Sequence, residues 1–531
     1  MESQEVSTTD LPVDAVRYRR SVLLGLASVA CVGILTVFYA RIGRVVPLDS
    51  DNANGVLEAA DMLRGNLILR GWWLSGDNFL TTDLPLYAAG VAIFGVSPRT
   101  ARYVGAAVYA LTVGLVVLLA RRRGSEPGGW LRMLIAFGLT AVPAAGIEVQ
   151  SVLRGPYHIT TTLFLLVCFW LIDRWESRWT AVVVFVLLTL TQAGDPLALV
   201  LGALPMIVVT GLRAARRRGG WDGQLLLAAL GSVLGARLLP ALINGLHGFS
   251  TIPLAPAFIS FDDLAKHTLL ILHLTLLTFG ADFFGLGLGR TAAQPLVRAV
   301  ALLFVAAVTW TVFRRWRQGH ELEPAEGEGR RVSELLVAGL LLFMAALLFS
   351  DQAGDLGGIR YMAPVLFFGA ALAGREGIRL FLRSGPQQLL AAGVALLLLS
   401  AGWSAYKAAP VPDRPTALVP WLERHGLREG LAGYWEASSV TLESKDQVRV
   451  RGIAPVGQRF GPFRWASKAE WYDPSRHDAR FVLIDGRAAG ALNKGSVESA
   501  FGTPSQEAEV DGYVILTYDR NLLQDPGWAA G

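Results

Sequence analysis

Apolar runs of about 20 residues follow one another through the first three quarters of the chain, separated by short polar connections. A helix needs roughly 18 to 20 such residues to cross a bilayer, so each run predicts a membrane span. The runs fall near residues 21–40, 99–120, 129–147, 157–173, 179–194, 196–212, 223–243, 296–313, 332–350, 359–374 and 387–406, about eleven in all. Two shorter or displaced runs break the series. Residues 84–95 number only about a dozen and read as an interfacial helix beginning at Pro85. Residues 264–288 read as a helix lying along the outer surface.

After Pro410 the pattern changes. Short alternating segments at 430–435, 447–452, 480–485 and 512–518 predict strands, and 416–425 and 438–444 predict helices. The expected fold is therefore an α-helical polytopic membrane protein of about eleven transmembrane helices, followed by a small α/β domain over residues 407–531.

Composition supports the membrane reading, with 53% hydrophobic residues in 531 and a mean hydropathy of +0.43. Charge then orients it. Arginines cluster at Arg121–Arg123, Arg174 and Arg178, Arg213–Arg218, Arg314–Arg317 with Arg330 and Arg331, and Arg375–Arg383, which the positive-inside rule places in the cytoplasm. The first run follows Arg17, Arg19 and Arg20 and lacks a small-x-small cleavage pattern, so it reads as an uncleaved anchor with residues 1–20 inside. An odd number of spans then sends the C-terminal domain and the first loop, 41–98, to the extracytoplasmic side. The net charge of +5 is a topology signal, and no basic tail or aromatic-basic stripe points to nucleic acid. Cys31 and Cys168 both fall inside predicted spans, so neither a disulfide nor a cysteine zinc site is expected. Before Lys407 only Lys266 breaks the preference for arginine, a bias that fits a GC-rich bacterial genome and a bacterial cytoplasmic (inner) membrane.

Candidate chemistry concentrates in the first loop. Between Val46 and Tyr87 lie six acids, Asp49, Asp51, Glu58, Asp61, Asp77 and Asp83. Carboxylates beside lipid persist only where they pair, meet water or handle a substrate. Asp49-Ser50-Asp51-Asn52 precedes a helical pattern over 53–64 whose apolar face is Val56, Leu57, Ala60 and Leu63, with Gly65 at the position after the C-cap. Asp51 or Asn52 is expected at the N-cap, and capping alone is the bland account of these residues. Trp72 and Trp73 read as interface anchors, and Trp435, Trp465, Trp471 and Tyr472 as core of the outer domain. The repeated words Gln192-Ala193-Gly194-Asp195 and Gln352-Ala353-Gly354-Asp355 read as helix caps, which keeps Asp195 out of the site. No longer repeat is visible, which counts against an inverted-repeat transporter.

The first loop carries a series of words in fixed order: Asp51-Asn52, Asp61-Met62-Leu63-Arg64-Gly65-Asn66, Asp83-Leu84-Pro85-Leu86-Tyr87, Ile93-Phe94-Gly95 and Ala101-Arg102-Tyr103. In order and spacing this resembles the polyprenyl-phosphate-dependent glycosyltransferases of the GT-C fold, including protein mannosyltransferases and the aminoarabinose transferases of lipid A. Two positions depart from that pattern. Asn52 stands where the family has a second acid, and Asp83-Leu84 replaces the Lys or His before Pro-Leu-Tyr.

The resemblance implies an inverting enzyme that moves a sugar from a polyprenyl-phosphate donor to an envelope glycan, lipid or protein acceptor at the outer face of the membrane, among its lipids. A carboxylate takes the acceptor proton while cations hold the departing phosphate. Asp51 is the expected general base. Asp49 and Asp83 are expected near substrate; Asp83, with Asp49 or Asp51, could hold a divalent metal ion, and no cofactor is certain. The Arg-Tyr-x-x-Pro word at Arg360-Tyr361 resembles one near the lipid phosphate in the family, with Arg154 and Lys266 as further phosphate candidates. Glu148 and His158 complete the outer-loop candidates. The rival readings are a lipid or glycan transporter and a non-catalytic scaffold of such a pathway.

Overall fold

Each apolar run of the sequence contributes a helix among the described residues. The computed structural model describes residues 13–122, 129–143, 149, 152–155, 158–217, 220–252, 255–287, 289–318, 324–381, 387–407, 409–411, 417–457, 459–487, 490–526 and 528. In chain order the first part forms α1 (Val13–Ile42), α2 (Ser50–Leu63), β1 (Trp72–Leu74), α3 (Leu84–Phe94), α4 (Pro98–Ala120), α5 (Gly129–Thr140), α6 (Ile159–Arg174), α7 (Arg178–Gly194), α8 (Leu204–Arg217), α9 (Trp221–Gly245) and β2 (Ser250–Thr251). It continues with α10 (Leu264–Thr278), α11 (Arg290–Arg317), α12 (Pro324–Phe349), α13 (Ala363–Phe381) and α14 (Gln387–Lys407).

Among the described residues, six stretches are long and apolar enough, by length and composition, to cross a membrane: Gly25–Val45, Pro98–Ala120, Leu199–Arg216, Trp221–Gly245, Ala292–Arg317 and Arg330–Phe349. The other five expected spans lie on α5, α6, α7, α13 and α14. Within the run expected over 129–147, of which residues 144–147 lie outside the described residues, α5 ends at Thr140, because Pro143 disfavours helical backbone just before it. Outward faces are apolar, with Leu26 and Val29 on α1, Leu234 and Leu238 on α9 and Leu303 on α11 all exposed. Inward faces merge into one core that includes Tyr109, Phe169, Phe343 and Phe367. Where α7 meets α9, Gly231 and Gly235 face Phe185 and Thr189; a Cβ on Gly235 would stand 2.8 Å from Thr189. Small residues one turn apart let the two backbones close.

The C-terminal part comprises α15 (Leu418–Arg424), β3 (Glu429–Ala432), α16 (Tyr434–Glu443), β4 (Arg449–Val456), β5 (Arg459–Pro462), β6 (Ser467–Lys468), β7 (Phe481–Asp485), α17 (Lys494–Phe501), β8 (Gln506–Val510) and β9 (Tyr513–Thr517). Six strands make one sheet in the order β5-β4-β3-β7-β9-β8. The central β3 runs parallel to β4 and β7, and the outer pairs are antiparallel. The strand expected over 430–435 stops at Ala432, because Gly433 turns the chain into α16. β8 escapes the sequence reading, since an edge strand of Gln506-Glu507-Ala508-Glu509-Val510 shows almost no apolar alternation.

This domain is tied into the first loop by hydrogen bonds. A second, three-stranded sheet has the order β2-β1-β6, with Trp72 opposite Lys468 and Trp73 opposite both Ser467 and Ser250. α2 packs on α16, where Leu442 joins Val56 and Ala59 in a shared apolar cluster. The Ser438 backbone N–H donates to Ser50 Oγ at 3.1 Å across the same contact.

Candidate functional site

The cap of α2 lies two or three residues earlier than the Asp51 or Asn52 that the sequence suggests. Asp49 is the N-cap: its Oδ1 accepts from Asn52 N at 3.3 Å, while Asn52 Oδ1 accepts from Asp49 N at 3.2 Å. Asp51 therefore sits inside the first turn and caps nothing. Its carboxylate accepts a hydrogen bond from the Tyr434 hydroxyl of α16, and that hydroxyl accepts from Asn54 Nδ2 at 3.2 Å. On the apolar face of α2, Val56, Leu57 and Ala60 are buried as expected, but Leu63 is exposed.

Asn52, the departure from the family pattern, has a structural task. Its Oδ1 accepts from Arg154 Nε at 2.7 Å and its Nδ2 donates to the Gly155 carbonyl at 3.2 Å, while Arg154 Nη2 lies 2.5 Å from Asp49. Arg154 is thus committed to clamping the start of α2. The clamp needs Gly105 on α4, since a Cβ there would stand 2.5 Å from the Leu153 carbonyl oxygen.

Above this clamp lies a cavity of about 420 Å³ between the helical part and the C-terminal domain. It is lined by Asp51, Asn54 and Glu58 of α2, by Leu74, Ser75, Asp77, Asn78 and Phe79, by His158, Arg360 and Tyr361, and by Tyr434, Trp435, Phe463 and Trp465 of the C-terminal domain. Two lining residues that are not glycine hold left-handed backbone, Phe79 (φ 52°) and Ala466 (φ 46°). Such strain costs of order 1–3 kcal/mol each and clusters at functional sites.

Charge is arranged unevenly around the cavity. Burial, then the neighbouring Asp49, pushes the Asp51 carboxyl above its usual range, against the pull of Tyr434, Arg360 and Arg154. Glu58 is pushed up to about 8 by burial. Asp77 also rises by burial, partly offset by His158. Arg360 Nη2 donates to the Tyr361 hydroxyl at 3.0 Å, with the guanidinium 5.0 Å from the ring centre.

His158 is buried and stacked on Tyr361, ring centres 4.9 Å apart. Its Nδ1 lies 2.8 Å from Asp195 Oδ2 and its Nε2 3.9 Å from Asp77. Capping accounts for only one oxygen of Asp195, which accepts from Leu197 N at 3.0 Å. The other is taken by His158 and by Thr161 Oγ1 at 2.5 Å, so Asp195 orients the histidine and belongs beside the site. At Asp77, His158 and Tyr361 the polar cavity adjoins an apolar groove of about 630 Å³ that runs past Leu197 and Val200 to Phe343, Leu347 and Phe349 of α12.

The remaining sequence candidates separate. Asp83 is buried away from the cavity walls, accepts from Thr160 Oγ1 at 2.6 Å, and is pushed up to about 7 chiefly by burial. Lys266 is exposed on α10 and lines none of these cavities. Glu148 lies outside the described residues. With Asp49 paired to Arg154 and Asp83 to Thr160, no group of three or more His, Cys, Asp or Glu side chains among the described residues is placed to hold a metal ion.

Aromatics change roles too. Trp435 and Trp465, expected in the core, stand in the cavity wall, while Tyr472 is buried as expected and donates to the Gly452 carbonyl at 2.6 Å. Trp72 is 1% exposed, donates to Asp61 Oδ2 at 2.8 Å and meets Trp471 edge-on, so it pins the two parts together and anchors no interface. Sequence reading missed Asn54 and Tyr434, and it counted Glu58 and Asp77 among the loop's acids without giving them a role. The i, i+3, i+7 spacing of Asp51, Asn54 and Glu58 marks a polar stripe on α2 that was there to be read; Tyr434, 383 residues away from Asp51, left no such signal.

No protein-family model matches the chain, and no curated protein matches it. Among solved structures, the chain is similar to the oligosaccharyltransferase of Archaeoglobus fulgidus in complex with zinc and sulfate, at 14% identity and a TM-score of 0.39. The alignment covers 79% of this chain and 59% of that one, so the chain spans less than two thirds of that protein's length. A likeness this distant leaves the functional reading to the cavity itself.

Proposed function

We propose that the protein is a membrane glycosyltransferase of the GT-C type that moves a sugar from a polyprenyl-phosphate donor to an acceptor hydroxyl at the extracytoplasmic face of a bacterial cytoplasmic membrane. The observation that carries this is one cavity with a buried acid and an arginine in its walls, adjoining an apolar groove. The prenyl chain occupies the groove, its phosphate meets Arg360, and the sugar lies in the cavity. Asp51 accepts the acceptor's proton as its oxygen attacks the anomeric carbon and the carbon–oxygen bond to phosphate breaks with inversion. Its raised proton affinity suits a general base. Arg360 takes up the negative charge released on the phosphate. Residues 1–20 face the cytoplasm, eleven helices cross, and residues 407–531 form an outer domain that closes the cavity.

The purified protein in lipid nanodiscs, given radiolabelled polyprenyl-phosphate mannose, glucose or arabinose and an envelope extract, is expected to transfer label from at least one donor. No transfer from any of them contradicts the reading. Outside-active reporters fused after Lys407 or within residues 41–98 are expected to work and those after Arg123 to fail; the reverse pattern places the cavity on the wrong side.

A further inference from the structure

Two polar groups on successive turns of α2 face the cavity with hydrogen-bonding capacity left over. Asn54 is 3% exposed, and its Oδ1 has no partner among the described residues while its Nδ2 is engaged by Tyr434. Glu58 is 5% exposed, lines the same cavity, and makes no side-chain hydrogen bond or ion pair among the described residues. A buried acceptor or acid without a partner costs roughly 1–3 kcal/mol, so such groups persist where something else satisfies them. The same cavity is lined by Trp435, half-exposed, and Trp465. The cavity thus offers hydrogen-bonding groups from α2 and flat aromatic surface from the C-terminal domain, the two surfaces that the hydroxyl edge and the C–H face of a sugar ring require.

Position along α2 adds a direction. Asp51 and Arg360 influence one another at one end of the cavity, and Glu58 lies two turns further, about 10 Å along the helix axis. With phosphate and anomeric carbon at the Asp51–Arg360 end, a sugar ring extends along α2 toward Glu58. Burial keeps Glu58 protonated at neutral pH, so it presents both an O–H donor and a carbonyl acceptor and adds no charge against the phosphate.

We infer that Asn54 and Glu58 form a recognition ladder for the hydroxyls of the transferred sugar, held against the tryptophan wall of the C-terminal domain, and so set which neutral hexose or pentose the protein accepts. This rests on the donor reading above. Asn54 Oδ1 accepts from one hydroxyl and Glu58 exchanges donor and acceptor bonds with another one turn away.

The test measures binding, so that it stands apart from turnover. Affinities of the protein in nanodiscs are measured for bare farnesyl phosphate and for farnesyl phosphate carrying mannose, glucose or arabinose. Wild type is expected to bind at least one sugar-bearing lipid about tenfold more tightly than the bare one, as two modest hydrogen bonds allow. Glu58→Leu and Asn54→Leu are expected to reduce that increment to within about twofold of none, with bare-lipid affinity and thermal midpoint kept, while Glu58→Gln, which retains a donor and an acceptor, keeps most of it. Should Glu58→Leu misfold, Asn54→Leu and Glu58→Gln still decide. An increment that survives in the leucine variants, or is absent from wild type for all three sugars, overturns the ladder. Failure of the donor reading looks different: neither bare nor sugar-bearing lipid then binds at all.

Discussion

Both ends of the helix bundle bury acids and arginines, but they treat them differently. At the end away from the cavity the charges are closed into pairs: Arg375 lies 2.6 Å from Asp173 with both side chains wholly buried, Arg331 reaches Asp222 at 2.7 Å and Glu176 at 2.6 Å, and Arg213 reaches Glu334 at 3.1 Å. At the cavity end Arg154 and Asp49 are closed in the same way. Asn54 Oδ1 and one oxygen of Asp83 lack hydrogen-bond partners among the described residues, and burial holds Glu58, Asp51 and Asp77 above their usual proton affinity. Ion pairs that are complete stabilise an arrangement, whereas buried groups with capacity left over answer to a ligand. The contrast separates structural from functional charge within one chain.

The largest expected effect comes from breaking a closed pair. Asp173→Ala strands the Arg375 guanidinium in a fully buried place, which costs about 3–5 kcal/mol, so folded protein recovered by size-exclusion chromatography should fall sharply. A variant of normal yield and thermal midpoint would erase the distinction between the two ends. Removing a charge at the open end should act on ligand instead. Arg360→Ala is expected to weaken binding of a bare polyprenyl phosphate by about tenfold or more with little change in thermal midpoint, and Arg360→Lys less, because lysine keeps the charge but loses the planar two-pronged geometry. Unchanged affinity in Arg360→Ala would move the phosphate site elsewhere.

The smallest effect sharpens the comparison through pH. A carboxyl pushed up to about 8 in the folded protein takes up a proton on folding, so the stability it contributes is complete below the ordinary glutamate range near 4.3 and is lost as pH rises toward 8. Asp83, pushed up to about 7, adds to the same slope. Glu58→Gln removes its own share, so the fall in thermal midpoint between pH 5 and 8 should lessen by a few degrees. Equal slopes in the two proteins would mean that Glu58 is ionised in the folded state.

Much of this was legible in the sequence where one element speaks for itself. Periodicity placed α1 to α14 because a lipid-facing helix shows its apolar faces directly, and the Pro85 start and Gly65 stop marked α3 and α2. Asp51, Arg360, Tyr361 and His158, all candidates from sequence, meet at one cavity. What stayed hidden depends on partners far away in the chain. Arg375 and Arg331 read as topology markers, yet their guanidiniums complete buried pairs. Asp195 read as a cap because its second oxygen answers to His158 and Thr161 of another helix. Trp72 read as an interface anchor because nothing local announces Asp61 and Trp471 as its neighbours.

The most direct test of the central claim is sugar transfer by Asp51→Asn. Asparagine is nearly the same shape, can still accept from Tyr434, and leaves the Asp49–Asn52 cap of α2 untouched, so the thermal midpoint and donor affinity should stay close to wild type. Without a proton acceptor, turnover of the polyprenyl-phosphate donor is expected to fall about 10²- to 10⁴-fold. A well-folded Asp51→Asn protein that transfers sugar at the wild-type rate would contradict the assignment of the base and the account built on it.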